Sequence, residues 1–240
     1  KDSYCGEPDE DGCNSCIKKR SQFIGVKSIS SWRKKSNLIL TAADEVIVPD
    51  EDVHQRLSRY FSNDNFIVRP HEDINPERVN ILNFLTKENG RIKVVVIGAI
   101  SLIKGYNILL SSAIYSKKNK LPIDFVLMGY SLDDNKLIQN GVNVTGKYKE
   151  NNSISTLESL NPSIVWLPSI WPETYSYTLS IVFKSGIPLM AFDIGAIASR
   201  VRAQNYKALL MPITMEKNAR LICKSLIDFL AVNKGKDDEK

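Results

Sequence analysis

Short strand-like runs recur along the second half of this chain, and their recurrence fixes what it can fold into. RIKVVVIGA at 91–99, IDFVLMG at 123–129 and VNVTG at 142–146 come first, followed by SIVWLP at 163–168, IPLMAF at 187–192 and KALLMP at 207–212. Most are almost wholly apolar, as strands buried on both faces must be. The segments between them have helical spacing: a run from about Lys104 to Tyr115, LDDNKLIQNG, ENNSISTLESLN, TYSYTLSIVFKSG and IGAIASRVRAQ, with a terminal helix over 215–233. Strands alternating with helices predict an α/β fold, a Rossmann-like parallel sheet with helices on both faces. Ligands on such sheets bind where the loops after the strands converge.

The first third reads differently. Residues 1–28 have no hydrophobic period and are expected to be loop. The run SSWRKKSNLILTAADE has helical spacing, EVIVP and NFIVRP read as strands, and PDEDVHQRLSRYF between them reads as a helix with an acidic first turn. These β-α-β parts are too few for a complete domain. The expected organisation is the tail of an amino-terminal domain at 1–75, a linker at 76–90 with room for one helix, and a complete domain at 91–240. The chain begins Lys-Asp-Ser rather than Met, and a fragment of a longer protein is the expectation.

Composition excludes little but helps. The chain has 240 residues, 43% hydrophobic and 25% charged, which fits a globular protein of one or two domains. No apolar run approaches a membrane span. The net charge of +5 comes from scattered groups such as IKKR, WRKK and SKKNK with no aromatic platform beside them, so nucleic acid is not an expected partner. Cys13 and Cys16 have the C-x-x-C spacing of metal ligands, but zinc wants four. A structural zinc on Cys5, Cys13 and Cys16 with a fourth ligand from elsewhere, a disulfide, and plain thiols remain alternative readings. His54 and His71 fit no triad.

Chemistry is expected at the strand ends. In GAISLIKG at 98–105, Gly98 is expected to end the first strand and lets the backbone turn close to a ligand. Lys104 sits at a helix start, where a cation opposes the macrodipole at a cost of up to about 1 kcal/mol. An anion between lysine and helix would explain it; an exposed lysine is the plainer account. VTGKY brings Thr145 and Gly146 to a second strand end, and AFDIGA brings a further glycine. In WPETYSYTL at 171–179 an apolar strand turns into a helix, whose unpaired N–H groups attract phosphate. Glu173 sits at that entrance. Beside a phosphate site a carboxylate repels its neighbour unless it reaches past the phosphates to hydroxyls, and a sugar nucleotide offers both. The plainer reading is that Glu173 stabilises the helix start. Neither a Gly-x-Gly-x-x-Gly fingerprint nor a Gly-Lys-Ser/Thr phosphate loop is present.

The order G-x-x-x-x-x-K-G, a strand ending in Gly, P-S-x-W-P-E-T, G-x-P and D-x-G-A resembles the carboxyl-terminal, donor-binding domain of the GT-B glycosyltransferases. It is similar to the large retaining group 1, or family 4-like, set that includes bacterial lipopolysaccharide and O-antigen transferases. The resemblance covers about 91–230. YCGEPDEDGCNSC, SWRKKSNLILTAADEVIVPDEDV and RPHEDIN also look like the end of the amino-terminal, acceptor-side domain of bacterial surface-polysaccharide members.

The resemblance implies a retaining transfer of sugar from a UDP-, GDP- or dTDP-sugar to a glycan or lipid-linked acceptor. It implies no required cofactor or metal, a cytoplasmic site at or near the inner face of the membrane, and a fragment that is inactive without the rest of its amino-terminal domain. Lys104 and Glu173 would carry the chemistry: Lys104 by pairing with the donor diphosphate, Glu173 by contacting hydroxyls of the transferred sugar. Gly98, Thr174, Tyr175, Ser176, Tyr177, Thr178 and Leu179 would line the donor, with backbone N–H groups near the last three on the phosphates. Thr145 and Gly146 would lie near the base. Three positions depart from the pattern. Ala99 stands where an arginine is frequent, Ile181 where the ribose-binding Glu is expected, and Ser199 where another acid is frequent. Losing a charge-assisted contact to ribose would weaken donor binding about ten- to a hundred-fold. A catalytically degenerate, structural GT-B-like module is therefore the alternative. A GT-B-like epimerase or phosphorylase fits the Glu173 stretch and the lack of a recognisable pyridoxal-lysine context less well.

Overall fold

The computed structural model describes residues 4–19, 25–62, 65–77 and 90–235. The described residues fall into two compact units, dividing between His71 and Glu72. The segment expected as a linker lies largely outside the described residues.

The first unit contains α1 (Glu10–Lys19), α2 (Ile29–Ala42), β1 (Val46–Val48), α3 (Glu51–Ser58) and β2 (Phe66–Val68), with β1 and β2 paired in parallel. The expected loop at 1–28 thus contains a helix. It has no buried residue, so hydrophobic periodicity could not reveal it. Its signals are electrostatic and local. Glu10 and Asp11 occupy the first turn and Lys18 and Lys19 the last, both favoured by the macrodipole, and the Asp9 carboxylate accepts from the Gly12 N–H at 2.9 Å. Ser28 and Ser31 cap α2 reciprocally, and the Asp50 side chain caps α3.

Cys13 and Cys16 lie on α1, and all four cysteines are free. Among the described residues no group of three or more His, Cys, Asp or Glu side chains is placed to hold a metal ion. The zinc reading of Cys5, Cys13 and Cys16 therefore finds no ligand set. The Cys13 thiol instead donates to the Pro8 carbonyl at 3.5 Å.

The second unit is the expected α/β fold. Its elements are β3 (Ile92–Ile100), α4 (Tyr106–Lys118), β4 (Ile123–Ser131), α5 (Asp134–Gln139), β5 (Val142–Val144), α6 (Ser153–Ser159) and β6 (Ile164–Leu167), then α7 (Tyr177–Ser185), β7 (Leu189–Phe192), α8 (Gly195–Ala203), β8 (Ala208–Met211) and α9 (Ala219–Gly235). The sheet order is β5-β4-β3-β6-β7-β8 with every pairing parallel. One face buries Val95, Ile97, Val165 and Leu189 against Leu157 of α6, Leu179, Val182 and Phe183 of α7, and Ile197 and Val201 of α8. The alternate residues, among them Val94, Val96, Trp166 and Met190, are buried on the other face. α4 packs there with α9, where the Cys223 thiol reaches the Ser112 carbonyl at 3.8 Å.

The first strand does not end at Gly98, as its sequence suggests. It runs on to Ile100, because β4 pairs with it along its whole length. On its other side β3 pairs with β6 only over Val94–Val96. Connections leave in opposite directions from these two neighbours, to β4 on one side and to β7 on the other. That is a topological switch point, and a crevice is expected at the strands' carboxyl ends.

Candidate active site

Four loops meet at this end of the sheet, and close backbone approaches hold them. The turn after β3 ends at Gly105, which opens α4 with φ +89°. A β-carbon there would fall 2.2 Å from the Pro168 carbonyl oxygen, so only glycine fits. The same two loops are tied by the Ile170 N–H donating to the Ile103 carbonyl at 3.0 Å. On the other side Gly195 opens α8 with φ +66°. A β-carbon there would fall 2.6 Å from the Pro172 α-carbon. The Ala196 N–H donates to the Glu173 carbonyl at 2.9 Å. The segment 168–176 is thus clamped between the turn after β3 and the start of α8.

Lys104 lies in the first of these turns, exposed, one residue before the Gly105 cap. It forms no ion pair among the described residues, so its charge faces solvent at the amino end of α4. Gly98 has φ +113°, and a β-carbon on it would touch the Thr178 methyl at 3.4 Å. The first strand's end and the start of α7 are therefore neighbours. Gly98 pairs in register with Gly129, whose N–H donates to Thr145 Oγ1 at 3.3 Å. Thr145, Gly129, Gly98 and Thr178 form a row across the sheet's end. Gly146 follows Thr145 with open space where a side chain would stand.

The turn into α7 is built on Ser176, which has φ +72° without being glycine. Its hydroxyl caps the helix, accepting from the Leu179 N–H at 3.4 Å, and lies 3.0 Å from Thr178 Oγ1. The Leu179 N–H is therefore already engaged, and its side chain is fully buried in the core. Tyr175 is also buried. Its hydroxyl accepts from the Glu72 N–H at 3.1 Å. Thr174 and Tyr177 are exposed, and Glu173 and Thr178 half-buried. Of the expected donor-lining set, Gly98, Thr178 and the α7 start converge directly, Glu173 joins them through the clamp, and Thr145 and Gly146 stand at the row's far end.

Sequence reading missed Arg200. It projects from α8, donates through Nη1 to the Tyr175 and Ser176 carbonyls at 2.9 and 3.0 Å, and through Nη2 to Ser180 Oγ at 3.1 Å. Its guanidinium also lies over the Tyr175 ring, 3.8 Å from the centroid. No one-dimensional signal marks it, since an arginine late in an amphipathic helix reads as solvated. Glu72 completes the surroundings, 3.2 Å from Lys184 Nζ. Burial alone would raise its carboxyl, but the Ser180 hydroxyl, Lys184 and Arg200 outweigh that and hold it below the usual carboxylate value. At the other end of α7 the Tyr206 hydroxyl donates to the Val182 and Ile187 carbonyls at 2.9 and 2.8 Å, and burial pushes that phenol upward.

Ile181, where the resemblance implies an acid, is half-buried and packs against the core that α7 shares with the sheet. Ala99 is exposed at the end of β3.

No protein-family model matches the sequence, and no curated protein matches it either. Solved structures do match. A mutant of Staphylococcus aureus TarM, in complex with fondaparinux, alpha-GlcNAc-glycerol and UDP, superposes with a TM-score of 0.59 at 16% identity, over 82% of this chain and 40% of that one. Anabaena HepE in complex with UDP gives 0.57 at 14%, over 85% and 62%. Sucrose-phosphate synthase from Thermosynechococcus elongatus gives 0.62 at 15%, over 92% and 57%. The chain has the fold of GT-B glycosyltransferases. It spans between 40% and 62% of the length of these three proteins.

Proposed function

We propose that this chain is the donor-binding part of a glycosyltransferase, with residues 91–240 receiving a nucleotide sugar at the crevice between β3 and β6. The single observation that carries this reading is the clamp. It joins the loops that carry the exposed Lys104, the start of α7 and Glu173 at one end of the sheet. Matches to structures that contain UDP support it.

Under this reading the donor diphosphate lies against the first turn of α7, whose N–H groups favour an anion, and Lys104 adds a full positive charge. When the bond between the sugar's anomeric carbon and the diphosphate oxygen breaks, negative charge grows on the leaving phosphate. Lys104 and the α7 start stabilise it, so the reaction as proposed requires no metal. Glu173 accepts hydrogen bonds from hydroxyls of the transferred hexose, and the Thr145–Gly146 end of the row lies near a UDP, GDP or dTDP base. The acceptor hydroxyl replaces the diphosphate with retention. That acceptor, a cell-surface polysaccharide or lipid-linked glycan, docks mainly on an amino-terminal domain whose tail is the first unit, ending at His71. The setting is the cytoplasm, at the inner face of the membrane. Among the described residues no helix is long and apolar enough to cross a membrane.

The packing of Ile181 into the core favours a second reading, a catalytically degenerate GT-B-like module with a structural role. Calorimetric titration of the chain with UDP, GDP, dTDP and ADP, with Lys104→Ala as control, separates the two. Binding of one nucleotide, weakened about ten- to a hundred-fold by the substitution, supports the transferase. No binding by any of the four at millimolar concentration supports the module.

A further inference from the structure

Arg200 donates to the Tyr175 and Ser176 carbonyls in the turn that begins α7 and to Ser180 Oγ within that helix, and its guanidinium lies over the Tyr175 ring and 5.5 Å from the Phe183 ring centroid. The two carbonyls it holds are consecutive. In a trans peptide the C=O and the following N–H point in opposite directions. Pulling the Tyr175 carbonyl toward α8 therefore aims the Ser176 N–H away from α8, and pulling the Ser176 carbonyl does the same to the Tyr177 N–H. Ser176 has φ +72° and ψ +93°, and helical Tyr177 follows it. A non-glycine residue keeps such a φ only where its surroundings hold it. Arg200, through the Ser176 carbonyl, and the Leu179 N–H, through the Ser176 hydroxyl, both bond to this residue.

We propose that Arg200 is a positioning residue, which fixes the peptide planes at Tyr175 and Ser176 so that the N–H groups after them face a diphosphate. This rests on the donor-binding reading above. Arginine suits the task because one planar fork can serve two adjacent carbonyls while stacking on Tyr175; lysine offers a single point charge without the plane.

The test uses the whole 240-residue chain. Binding of UDP, ADP, GDP and dTDP is measured by calorimetry, and binding of the nucleoside of whichever diphosphate binds by ligand-observed NMR. Arg200→Lys and Arg200→Met are compared with the unmodified chain, with thermal melts in parallel. The expected result is that both variants bind the diphosphate at least about tenfold more weakly while nucleoside affinity stays within about twofold. A general structural role would weaken both ligands together. An unchanged ratio of diphosphate to nucleoside affinity in Arg200→Lys overturns the proposal and leaves the donor reading standing. Failure of the unmodified chain to bind any of the four diphosphates overturns both. If Arg200→Met does not fold, Arg200→Lys alone decides.

Discussion

A β-carbon on Gly105 would fall 2.2 Å from the carbonyl oxygen of Pro168, well inside contact distance. The turn after β3 and the loop after β6 are therefore packed backbone to backbone at the switch point. Gly105→Ala adds that clash to a left-handed backbone. It should cost at least about 2 kcal/mol of unfolding free energy. It should also weaken nucleotide binding, since Lys104 immediately precedes the position. Urea denaturation gives the first quantity and calorimetry the second. Unchanged stability would mean that the two loops move apart without penalty.

Ile181 tests whether this helix face belongs to the core or to a ligand. Its side chain packs with the residues that join α7 to the sheet, half-buried. Ile181→Val should cost about 0.5–1.5 kcal/mol and Ile181→Ala about 2 kcal/mol or more. Nucleotide affinity should be unaltered in both, because an aliphatic side chain offers the ribose no hydrogen bond. A variant that loses affinity while keeping its melting temperature would place Ile181 in the binding site instead.

The sheet was legible from sequence because burial on both faces leaves almost no freedom of composition. Runs such as VVVIG and IVWL can be little else once helices separate them. The switch-point loops were legible through Gly98, Lys104 and Glu173, residue types with a stated conflict or cost at their positions. Arg200 was not, because its partners are backbone carbonyls 24 and 25 residues away in sequence. Backbone carbonyls carry no residue identity, so no pattern of side chains could announce them. Helix α1 escaped for a related reason: capping and charge placement form it, without burial. The continuation of β3 past Gly98 also depended on a partner strand, which propensity at one residue does not report.

Cys5 and Cys223 should separate cleanly by reactivity. Cys223 on α9 is 1% exposed, and burial pushes its thiol up to about 11. Cys5 is exposed. The thiolate is the nucleophile, so at pH 8 Cys5 should react with an aromatic disulfide reagent within the mixing phase. Cys223 should react only as the domain unfolds, its rate rising with denaturant in step with the unfolding rate. Mass spectrometry of labelled peptides reads each site. Fast native labelling of Cys223 would show that α9 leaves α4 readily.

Glu72 should give the second unit part of its acid sensitivity. Its carboxyl is depressed in the fold: burial opposes ionisation, and the Ser180 hydroxyl, Lys184 and Arg200 overcome it. A carboxyl with a lowered folded pKa contributes stability that is complete above its unfolded value of 4.5 and disappears as the pH falls through the folded value. The pair with Lys184 is partly exposed, so the contribution is no more than about 1 kcal/mol. Glu72→Gln removes the charge and leaves the Glu72 backbone bonded to the Tyr175 hydroxyl. The difference in stability between the unmodified chain and Glu72→Gln should therefore be largest and flat from pH 6 to 8, shrink below pH 4.5, and vanish once the native carboxyl is protonated. Urea midpoints at a series of pH values measure it, and taking the difference cancels the other carboxylates common to both proteins. A gap that stays constant down to pH 3 would mean that substitution at Glu72 acts through packing or backbone geometry, and that its ion pair with Lys184 contributes nothing.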